Sequence, residues 1–480
     1  MPNSEHIWGD LLQALQRGAR LRDHSGRVEP GDVFVAMPGT RDSGVRHIQQ
    51  AAARGAGYVV SPEPVPDLDG IKVAVRPDIV QALGELARIA FKTGEQRFQL
   101  VGITGTNGKT TVSYLLEHIV HQAGKKAGVL GTIAYRWPGV SQEASLTTPG
   151  CLQIHDLLST MGSAGVEVVC MEVSSHGLDQ GRVAGLDFDV AAFTNLTQDH
   201  LDYHQDMEAY FQSKMKLFRP QHGHRPRGVV NVDDPFGRRL FDGLDSCLGF
   251  SLEGRGNDQC LQGRITSLGR QGLDIECSFQ GRTWTVQSGM IGRHNGSNIL
   301  AAQAVALELG IDPAAFAGIS ECAGVPGRLE RIGNSRGLHV FVDYAHTPDA
   351  LDNVLSSVKG LGFRKVIVLF GCGGDRDRAK RPQMGAAVTR HAHLAILTSD
   401  NPRHEDPWKI VEDVRPGLLP GSEVVEEVDR RRAIELGLSR LGAEDILIIA
   451  GKGHETTQQV GDERIPFSDA QVVRQLLGET

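Results

Sequence analysis

The stretch GITGTNGKTT, residues 102–111, constrains the fold of this chain more than any other segment. It follows the short apolar run FQLV at 98–101. It precedes apolar residues at i, i+3, i+4, i+7 and i+8, which share one face of a predicted helix. A glycine loop between a strand and a helix directs backbone N–H groups and the positive end of the helix dipole towards an anion. This order of elements favours a phosphate-binding loop.

The loop differs in one position from the usual phosphate-loop pattern of Gly, four residues and Gly-Lys-Ser/Thr. Gly108, Lys109 and Thr110 supply its end, but Ile103 stands where the first glycine is expected. In such loops the lysine reaches the terminal phosphates and the Thr hydroxyl ligates Mg²⁺. The alternative is a plain strand-to-helix turn that uses glycine only for its backbone angles.

The length of 480 residues predicts about three domains. Residues 1–97 contain short apolar runs at 32–37, 57–61 and 71–75 and are predicted to form a small α/β domain. Residues 98–327 contain the glycine loop, strands at 166–173, 189–196 and 228–232, a glycine-rich β-meander between about 246 and 290, and a helix at about 295–309.

Residues 328–480 show the clearest pattern. Apolar runs at 339–345, 365–371, 394–400 and 445–451, with a fifth at 424–428, alternate with helical patterns. This alternation predicts a doubly wound, mostly parallel sheet. The fold class is therefore α/β, with a Rossmann-like third domain.

Polar residues collect just after the predicted strands of this third domain. Ligands of open α/β sheets bind at the carboxyl ends of the strands, so these residues predict one shared site. The alternative is four unrelated surface loops. The residues of the predicted site are Asp343, His346, Arg376, Arg403, Gly451 and Glu455.

Charge and cysteine content exclude some classes of protein. The net charge is −8 and the pI is near 6.1, which argues against a nucleic-acid binder. The seven cysteines are scattered, odd in number and without a C-x-x-C pair, as in a reducing cytoplasm. No signal peptide and no apolar run long enough for a membrane span are evident, so we expect a cytoplasmic protein.

Three further residues could contribute to chemistry in the second domain. Glu172 ends an apolar strand, where a carboxylate suits Mg²⁺, and the alternative is a capping or salt-bridged Glu. His200 follows another strand and could be an imidazole ligand or a structural histidine. From spacing alone, Lys214 is a solvated lysine on a helix face.

Two arginines of the third domain, Arg376 and Arg403, could each hold an anionic ligand. The planar guanidinium of Arg403 could bind a carboxylate through two hydrogen bonds, and that of Arg376 a carboxylate or a phosphate. The alternative for either residue is a surface salt bridge.

Eight motifs, in order along nearly the whole chain, resemble those of the Mur ligases. They are GTNGKT (105–110), TTP (147–149), MEVSSHGLDQGR (171–182), TNLTQDHLDYH (194–204), DYAHTP (343–348), GCGGDRD (371–377), DNPRHEDP (400–407) and GKGHE (451–455). The family's own loop is GTNGKT, which accounts for Ile103. The resemblance implies one domain for UDP, one for ATP and one for the incoming amino acid.

The resemblance also implies binding residues. ATP would be bound by Gly105, Thr106, Asn107, Gly108, Lys109, Thr110, Thr111, Asn298, Arg328 and Asp343. A UDP-muramoyl dipeptide would be bound by Ser25, Thr40, Arg41, Asp42, Thr147, Thr148, Ser174, Gln180 and Arg182. A diamino acid would be bound by Arg376, Asp400, Asn401, Pro402, Arg403, Gly451 and Glu455. The sequence departs from the family near its N-terminus, where His24-Ser25-Gly26 replaces Asp-Ser-Arg.

The resemblance reverses the interpretation of Lys214, because family members carry the matching lysine as a carbamate that bridges to Mg²⁺. The predicted metal residues are then Thr110, Glu172, His200 and carbamylated Lys214, and the predicted catalytic residues are Lys109, Glu172, His200 and Lys214.

The implied activity is ATP-dependent addition of a diamino acid to UDP-N-acetylmuramoyl-L-alanyl-D-glutamate, through an acyl phosphate, in peptidoglycan synthesis. The segment DNPR resembles the version that selects meso-diaminopimelate, and lysine and ornithine are the alternatives. Folylpolyglutamate ligase chemistry is disfavoured by TTP, by MEVSSHGLDQGR and by the N-terminal domain. A sensor without enzymatic activity would bind the muramoyl peptide or nucleotide but release no phosphate. We further expect the ATP of the middle domain to face the amine held by the last.

Overall fold

The computed structural model describes residues 2–39, 42–322 and 324–479. The chain divides into two compact units, and each is described separately below. Unit 1 comprises Met1–Phe250 and Ala301–Ala315, and unit 2 comprises Ser251–Leu300 and Phe316–Thr480. The boundaries of the three predicted domains stay a prediction.

Unit 1 begins with a four-stranded parallel sheet that confirms the predicted N-terminal α/β fold. Leu11 and Leu15 of the first helix pack in one core with Leu83 and Leu86 of the third. The strand order is β1-β2-β3-β4. The elements are α1 (Pro2–Gln16), β1 (Leu21–Arg22), β2 (Val33–Val35), α2 (Ile48–Ala53), β3 (Tyr58–Ser61), β4 (Lys72–Val75) and α3 (Ile79–Ala90).

The larger sheet of unit 1 carries the glycine loop at its centre. Its elements are β5 (Gln99–Thr104), α4 (Lys109–Gln122), β6 (Ala127–Leu130), β7 (Ala134–Trp137), β8 (Val140–Glu143), α5 (Cys151–Ser163), β9 (Val168–Glu172), α6 (Ser175–Asp179), β10 (Val190–Phe193), α7 (Leu201–His204), α8 (Met207–Met215), β11 (Arg227–Asn231), α9 (Pro235–Asp242) and β12 (Cys247–Ser251).

In this sheet β5 lies between β9 and β10 and is parallel to both. The strand order is β12-β11-β10-β5-β9-β6-β7-β8, and only β7 and β8 run antiparallel to their neighbours. The carboxyl ends of β5, β6, β9 and β10 therefore lie along one edge of the sheet, where α/β proteins bind ligands.

Unit 2 begins with the predicted antiparallel meander, but the meander starts later than predicted. β12 is parallel to β11 and nearly all buried, so residues 247–251 belong to the parallel sheet. A strand that is buried on both faces has a continuous apolar sequence. Such a sequence does not indicate whether the neighbouring strand is parallel or antiparallel. The following elements are β13 (Cys260–Gly269), β14 (Gly272–Phe279), β15 (Arg282–Ser288), α10 (Arg293–Glu308), α11 (Gly318–Glu321) and β16 (Glu330–Arg331).

The rest of unit 2 is the predicted doubly wound domain. Its sheet has the order β16-β17-β21-β18-β19-β20, with every pair parallel except β16 and β17. Two apolar clusters cover its faces. The elements are β17 (His339–Asp343), α12 (Pro348–Val358), β18 (Val366–Phe370), α13 (Lys380–His391), β19 (Leu394–Leu397), α14 (Pro407–Val414), β20 (Val424–Glu426), α15 (Arg430–Ser439), β21 (Ile446–Ala450), β22 (Thr457–Val460), β23 (Glu463–Pro466) and α16 (Asp469–Leu477).

The predicted fifth strand of this domain is present as β20, whereas the hairpin β22–β23 was not predicted. None of the helices formed by the described residues is long and apolar enough to cross a membrane.

Candidate functional site

The glycine loop of unit 1 joins β5 to α4, as predicted. Gly105 and Gly108 have φ angles of 144° and 89°, which L side chains rarely adopt. Asn195, just after β10, fixes the loop, because its side-chain oxygen accepts from the Asn107 N–H at 2.9 Å and its carbonyl from the Thr106 N–H at 2.9 Å. Lys109 Nζ donates to the carbonyls of Gly105 and Thr106. The loop therefore lies at the start of a 14-residue helix, as an anion site requires.

Glu172, at the end of β9, is fully buried beside this loop. Its Oε2 accepts hydrogen bonds of 2.9 Å from the hydroxyls of Thr110 and Thr132, and its Oε1 accepts from the Thr132 N–H at 3.0 Å. Gly131 is needed here, because a Cβ on that residue would collide with Glu172 Oε1. The carboxylate and the Thr110 hydroxyl are thus held together, as predicted.

Lys214 is buried, which corrects the expectation of a solvated lysine based on its spacing. Its side chain is 1% exposed, and its Nζ donates to the Gly105 carbonyl at 2.9 Å and lies 4.5 Å from the centre of the Tyr210 ring. Burial, together with the nearby Lys109 cation, lowers the pKa of Lys214 well below its ordinary value, while Asp199 acts in the opposite direction. This shift favours the neutral amine over the ammonium form.

His200 lies near the same group of residues, at the start of α7. It has a left-handed backbone (φ 54°), and its ring centre is 4.9 Å from that of His176 and 6.1 Å from that of Tyr210. Burial lowers the pKa of His200, with His176, Lys109 and Lys214 acting in the same direction and Asp199 opposing them. A neutral imidazole is the form that ligates metals.

The residues predicted to bind the dipeptide form a hydrogen-bonded row along the same edge of the sheet. Thr147 Oγ1 lies 3.0 Å from Thr132 Oγ1, and Thr148 Oγ1 donates to Ser174 Oγ at 3.1 Å. Arg182 donates to the Thr148 carbonyl at 2.7 Å and to the side-chain oxygen of Gln180. Since Thr132 also binds Glu172, this row is continuous with the residues around the glycine loop.

The predicted uridine residues are only partly described. Ser25 is buried, and its hydroxyl donates to Gln50 of α2 at 2.7 Å. Asp42 is exposed and paired with His47, just before α2, at 2.5 Å. Thr40 and Arg41 lie outside the described residues.

In unit 2, three predicted ATP residues have defined surroundings. The buried Asp343 ends β17 and accepts from the N–H groups of Leu329 and Ala345, both at 2.7 Å. Burial raises the pKa of Asp343 in spite of Arg328. The Arg328 guanidinium lies 4.9 Å from the centre of the Tyr344 ring. Asn298, in α10, donates to Asn295.

The loops that follow β17, β18, β19 and β21 converge at one edge of the sheet. The Gly451 N–H donates to the Asp343 carbonyl at 3.1 Å. A Cβ on Gly451 would lie 2.5 Å from Asp400 Oδ2, and one on Gly371 would lie 2.9 Å from the Asp400 nitrogen. His346, which also belongs to the predicted set, forms a hydrogen bond within its own loop, between its Nδ1 and the Tyr344 carbonyl.

Most of the predicted diamino-acid residues lie in this convergence. Asn401 Nδ2 donates to Glu455 Oε2 at 2.9 Å, and Arg403 donates to the Gly374 carbonyl at 2.8 Å. A Cβ on Gly373 would lie 3.0 Å from Arg403 Nη1 and 3.5 Å from Arg376 Cγ. The side chains of both arginines therefore lie next to this glycine. The carbonyl of the buried Pro402 lies against Gly374.

Sequence reasoning missed three residues that hold predicted site residues in place, two in unit 1 and one in unit 2. Thr132 and Gly131 shape the surroundings of Glu172, and Lys452 is a buried partner of Glu455 at 2.7 Å. The signal was present for each of them: Gly131 and Thr132 follow the strand β6, and Lys452 stands inside the GKGHE motif.

Together these features define a class of protein. A glycine loop at the carboxyl edge of one parallel sheet, and a charged loop cluster at the carboxyl edge of a doubly wound sheet, are the parts of a nucleotide-dependent enzyme that acts on an anionic small substrate.

Comparisons with known proteins specify the class further. The chain matches the Mur ligase middle domain over residues 103–306 and the Mur ligase glutamate ligase domain over residues 327–453. The UDP-N-acetylmuramoyl-L-alanyl-D-glutamate–2,6-diaminopimelate ligase of Lawsonia intracellularis is 47% identical over 457 residues, which is 95% of each chain. The protein of that name from Gloeobacter violaceus is 43% identical over 96% of this chain and 94% of its own.

A solved structure of a ligase with the same name is 33% identical, with a TM-score of 0.72, and the match covers 96% of this chain and 94% of that one. The chain belongs to the Mur ligase family, whose members are ATP-dependent ligases.

Proposed function

We propose that this protein joins 2,6-diaminopimelate to UDP-N-acetylmuramoyl-L-alanyl-D-glutamate at the expense of ATP, in peptidoglycan precursor synthesis. Both of the curated relatives described above carry the name of this ligase and match nearly the whole chain. Close identity over full length supports transfer of the reaction, while the roles of individual residues depend on the site.

One observation supports the proposal most directly: the glycine loop and the predicted dipeptide residues belong to a single hydrogen-bonded network. Thr110 binds Glu172, Glu172 binds Thr132, and Thr132 binds Thr147. A carboxylate bound along this row would lie on the same sheet edge as the phosphates of ATP. That is the arrangement that phosphoryl transfer to a carboxylate requires.

In the first step, a carboxylate oxygen of the D-glutamyl residue attacks the γ-phosphorus. An O–P bond forms, and the bond from the γ-phosphorus to the bridging oxygen of ADP breaks. Lys109 and the loop N–H groups neutralise charge on the phosphate oxygens, and the Thr148–Arg182 row orients the carboxylate.

In the second step, the amine attacks the acyl carbon and forms the amide. The C–O bond to phosphate breaks, and the nitrogen gives up a proton to the medium. Catalysis in both steps consists mainly of orientation and charge neutralisation.

The residues around Glu172 fit Mg²⁺ only in part as they stand. Thr110 and Glu172 would supply oxygen ligands and His200 an imidazole, but the described residues contain no cluster of three or more His, Cys, Asp or Glu able to hold a metal. When bound, Mg²⁺ would neutralise phosphate charge. A further carboxylate is needed to complete such a site.

Carbamylated Lys214 would supply that carboxylate. A neutral amine is nucleophilic, and burial favours this form because it lowers the pKa of Lys214. Its nitrogen would bond to the carbon of CO₂, one C=O π bond would open to O⁻, and the ammonium proton would pass to water. The resulting anion beside Lys109 would then be favoured by charge.

Specificity for a second carboxylate would come from Arg403. Lysine and ornithine lack this carboxylate, so they leave the guanidinium without its ionic partner. Arg376, beside the same glycine, could add a further contact.

The test uses the purified protein with ATP, Mg²⁺, UDP-muramoyl dipeptide and, in separate reactions, meso-diaminopimelate, L-lysine or L-ornithine. We expect phosphate release and a product whose mass increases by diaminopimelate minus water. A strong preference for lysine or ornithine would contradict the role of Arg403. Binding of the muramoyl peptide without phosphate release in any reaction would instead support a sensor.

A further inference from the structure

Lys452 is a fully buried lysine within the GKGHE motif, and all three protons of its ammonium group are used. Its Nζ donates to Asn401 Oδ1 at 3.1 Å, to Glu455 Oε2 at 2.7 Å and to the Thr457 carbonyl at 2.7 Å. These acceptors come from three segments: the loop after β19, the turn after β21 and the strand β22. A lysine has three donors and no acceptor, so this hydrogen-bonding capacity is complete.

Lys452 lies between two glycines whose backbone conformations other residues seldom adopt. Gly451 and Gly453 have φ angles of 115° and 54°. A Cβ on Gly453 would lie 2.7 Å from Tyr344 Cβ. Burying a cation is costly unless it is paired, and an apolar residue could fill the same volume without that cost. The buried charge of Lys452 is therefore expected to do more in this loop cluster than fill space.

The network around Lys452 orients two residues of the proposed diamino-acid site. Asn401 Oδ1 accepts from Lys452 and from the Gln459 N–H at 2.9 Å, so its amide nitrogen is directed at Glu455 Oε2. Glu455 Oε2 thus receives two hydrogen bonds, whereas Oε1 receives none from the described residues. Since the Glu455 side chain is 32% exposed, Oε1 can face a ligand.

Lys452 also favours the ionised form of Glu455. Burial raises the pKa of this carboxyl, but the hydrogen bonds from Lys452 and Asn401 and the charges of Lys452 and His454 together hold the pKa below its ordinary value. The other charged and titratable groups that act on Glu455, or respond to it, are His454, Asp400, Arg430 and Tyr344. Of these, Asp400 is buried with a raised pKa, and Arg430 is paired with Asp469.

We propose that Lys452 is a positioning residue, which orients Glu455 and Asn401 so that the free oxygen of Glu455 binds an ammonium group of the incoming diamino acid. This inference rests on the proposed function. It assigns to Lys452 no contact with ATP and no role in the first step.

The test is Lys452→Met, which keeps the length of the side chain and removes its charge. We expect the KM for diaminopimelate to rise about tenfold or more at neutral pH, while the KM for ATP changes less than about twofold. Without Lys452, burial raises the pKa of Glu455 and only Asn401 and His454 oppose it, so the carboxylate takes up a proton at a higher pH. The acidic limb of kcat/KM for diaminopimelate should therefore move to higher pH, with recovery as the pH rises.

Lys409→Met is the matched control, since Lys409 is an exposed lysine of the same unit, and it should leave both KM values unchanged. Lys452→Gln is the second variant and should show the same separation of the two KM values, because it also lacks the charge. If Lys452→Met raises both KM values equally, or leaves the pH profile in place, Lys452 is only structural and the proposal fails.

A third measurement does not depend on folding of the Lys452 variants. Wild-type kcat/KM for diaminopimelate should have no acidic limb due to Glu455 between about pH 6 and pH 8. A limb in this range that Glu455→Gln removes would overturn the proposal, because Glu455 would then titrate in spite of Lys452. Failure of the proposed function is distinct from these outcomes: the wild-type protein would ligate no amine at all.

Discussion

Arg403 has a backbone conformation that residues other than glycine seldom adopt, with a φ of 52°. Its N–H donates to the Gln459 carbonyl at 3.1 Å, and its own carbonyl accepts from the Gly461 N–H at 2.7 Å. The hairpin β22–β23 therefore holds this residue in place. A conformation that costs free energy and is maintained by neighbouring structure is often found where a side chain must be aimed at a ligand.

Arg403→Ala should reduce the preference for diaminopimelate over L-lysine, because it should lower kcat/KM mainly for diaminopimelate. Loss of a charge-assisted pair of hydrogen bonds costs about 1.5–3 kcal/mol, so kcat/KM for diaminopimelate should fall about 10- to 150-fold. For L-lysine the change should be small, because lysine has no second carboxylate. Steady-state kinetics with both amines measure the ratio, and an equal loss for both would count against the assignment.

Lys214 is expected to lower the folding stability of the protein even though its activity needs this residue. Its lowered pKa means that the unfolded chain binds a proton that the folded protein does not bind, so stability rises with pH from the folded pKa towards 10.5. Lys214→Met removes this term. The variant should melt at the same or a higher temperature than the wild type, with a flatter dependence on pH as the pH approaches 10.5.

The same Lys214→Met variant should lose ligase activity by about a hundredfold or more, and short carboxylates such as acetate should restore part of it. Depletion of CO₂ should lower wild-type activity, and bicarbonate should return it. A variant that is both less stable and normally active would return Lys214 to a structural role.

At the level of elements, Gly131 at the end of β6 sets the distance between that strand and Glu172. Gly131→Ala should push the Glu172 carboxylate away from Thr110 and reduce phosphate release about tenfold or more, at a cost of about 1–3 kcal/mol in unfolding free energy. Gly9→Ala is the control, because nothing lies within 4 Å of a Cβ at that position. Denaturant unfolding and phosphate release measured together separate the two effects.

The ion pair between Arg430 of α15 and Asp469 of α16 links these helices to the sheet of unit 2. Both side chains are fully buried, and the Arg430 guanidinium also donates to the carbonyls of Ser399 and Ala450. Arg430→Met should cost about 3–5 kcal/mol, because it leaves a buried carboxylate without a partner. The double variant Arg430→Met/Asp469→Leu should regain part of that loss in urea unfolding. If the double variant is no more stable than the single, an unpaired carboxylate is not the cause of the loss.

Elements with strong apolar runs were predictable, and elements without them were not. β17, β18, β19 and β21 are buried throughout and were predicted, whereas β22 and β23 are mostly polar in sequence, with β22 largely half-buried and β23 exposed. For β12 the strand was visible but its direction was not, since pairing direction depends on a partner distant in sequence.

On the scale of the whole molecule, the two proposed half-reactions depend on residues of different units. Lys109, Thr148 and Lys214 belong to unit 1, and Arg403 and Glu455 belong to unit 2. We therefore expect hydroxylamine to trap a glutamyl hydroxamate when ATP and UDP-muramoyl dipeptide are supplied without a diamino acid. Arg403→Ala should retain this product, measured by its mass, and Lys214→Met should lose it. Absence of hydroxamate from the wild-type protein would contradict a free-standing first step.

The sequence by itself determined the α/β class, the glycine loop, the parallel sheets and the strand ends at which ligands bind. These features arise from local periodicity and from glycine and proline chemistry, which neighbouring residues specify. Only the tertiary structure decided that Lys214 is buried, that Thr132 connects Glu172 to Thr147, and that Lys452 holds Glu455. Burial and hydrogen bonding of a side chain depend on residues far away in the chain, so helical spacing on α8 could not distinguish a solvated lysine from a desolvated amine.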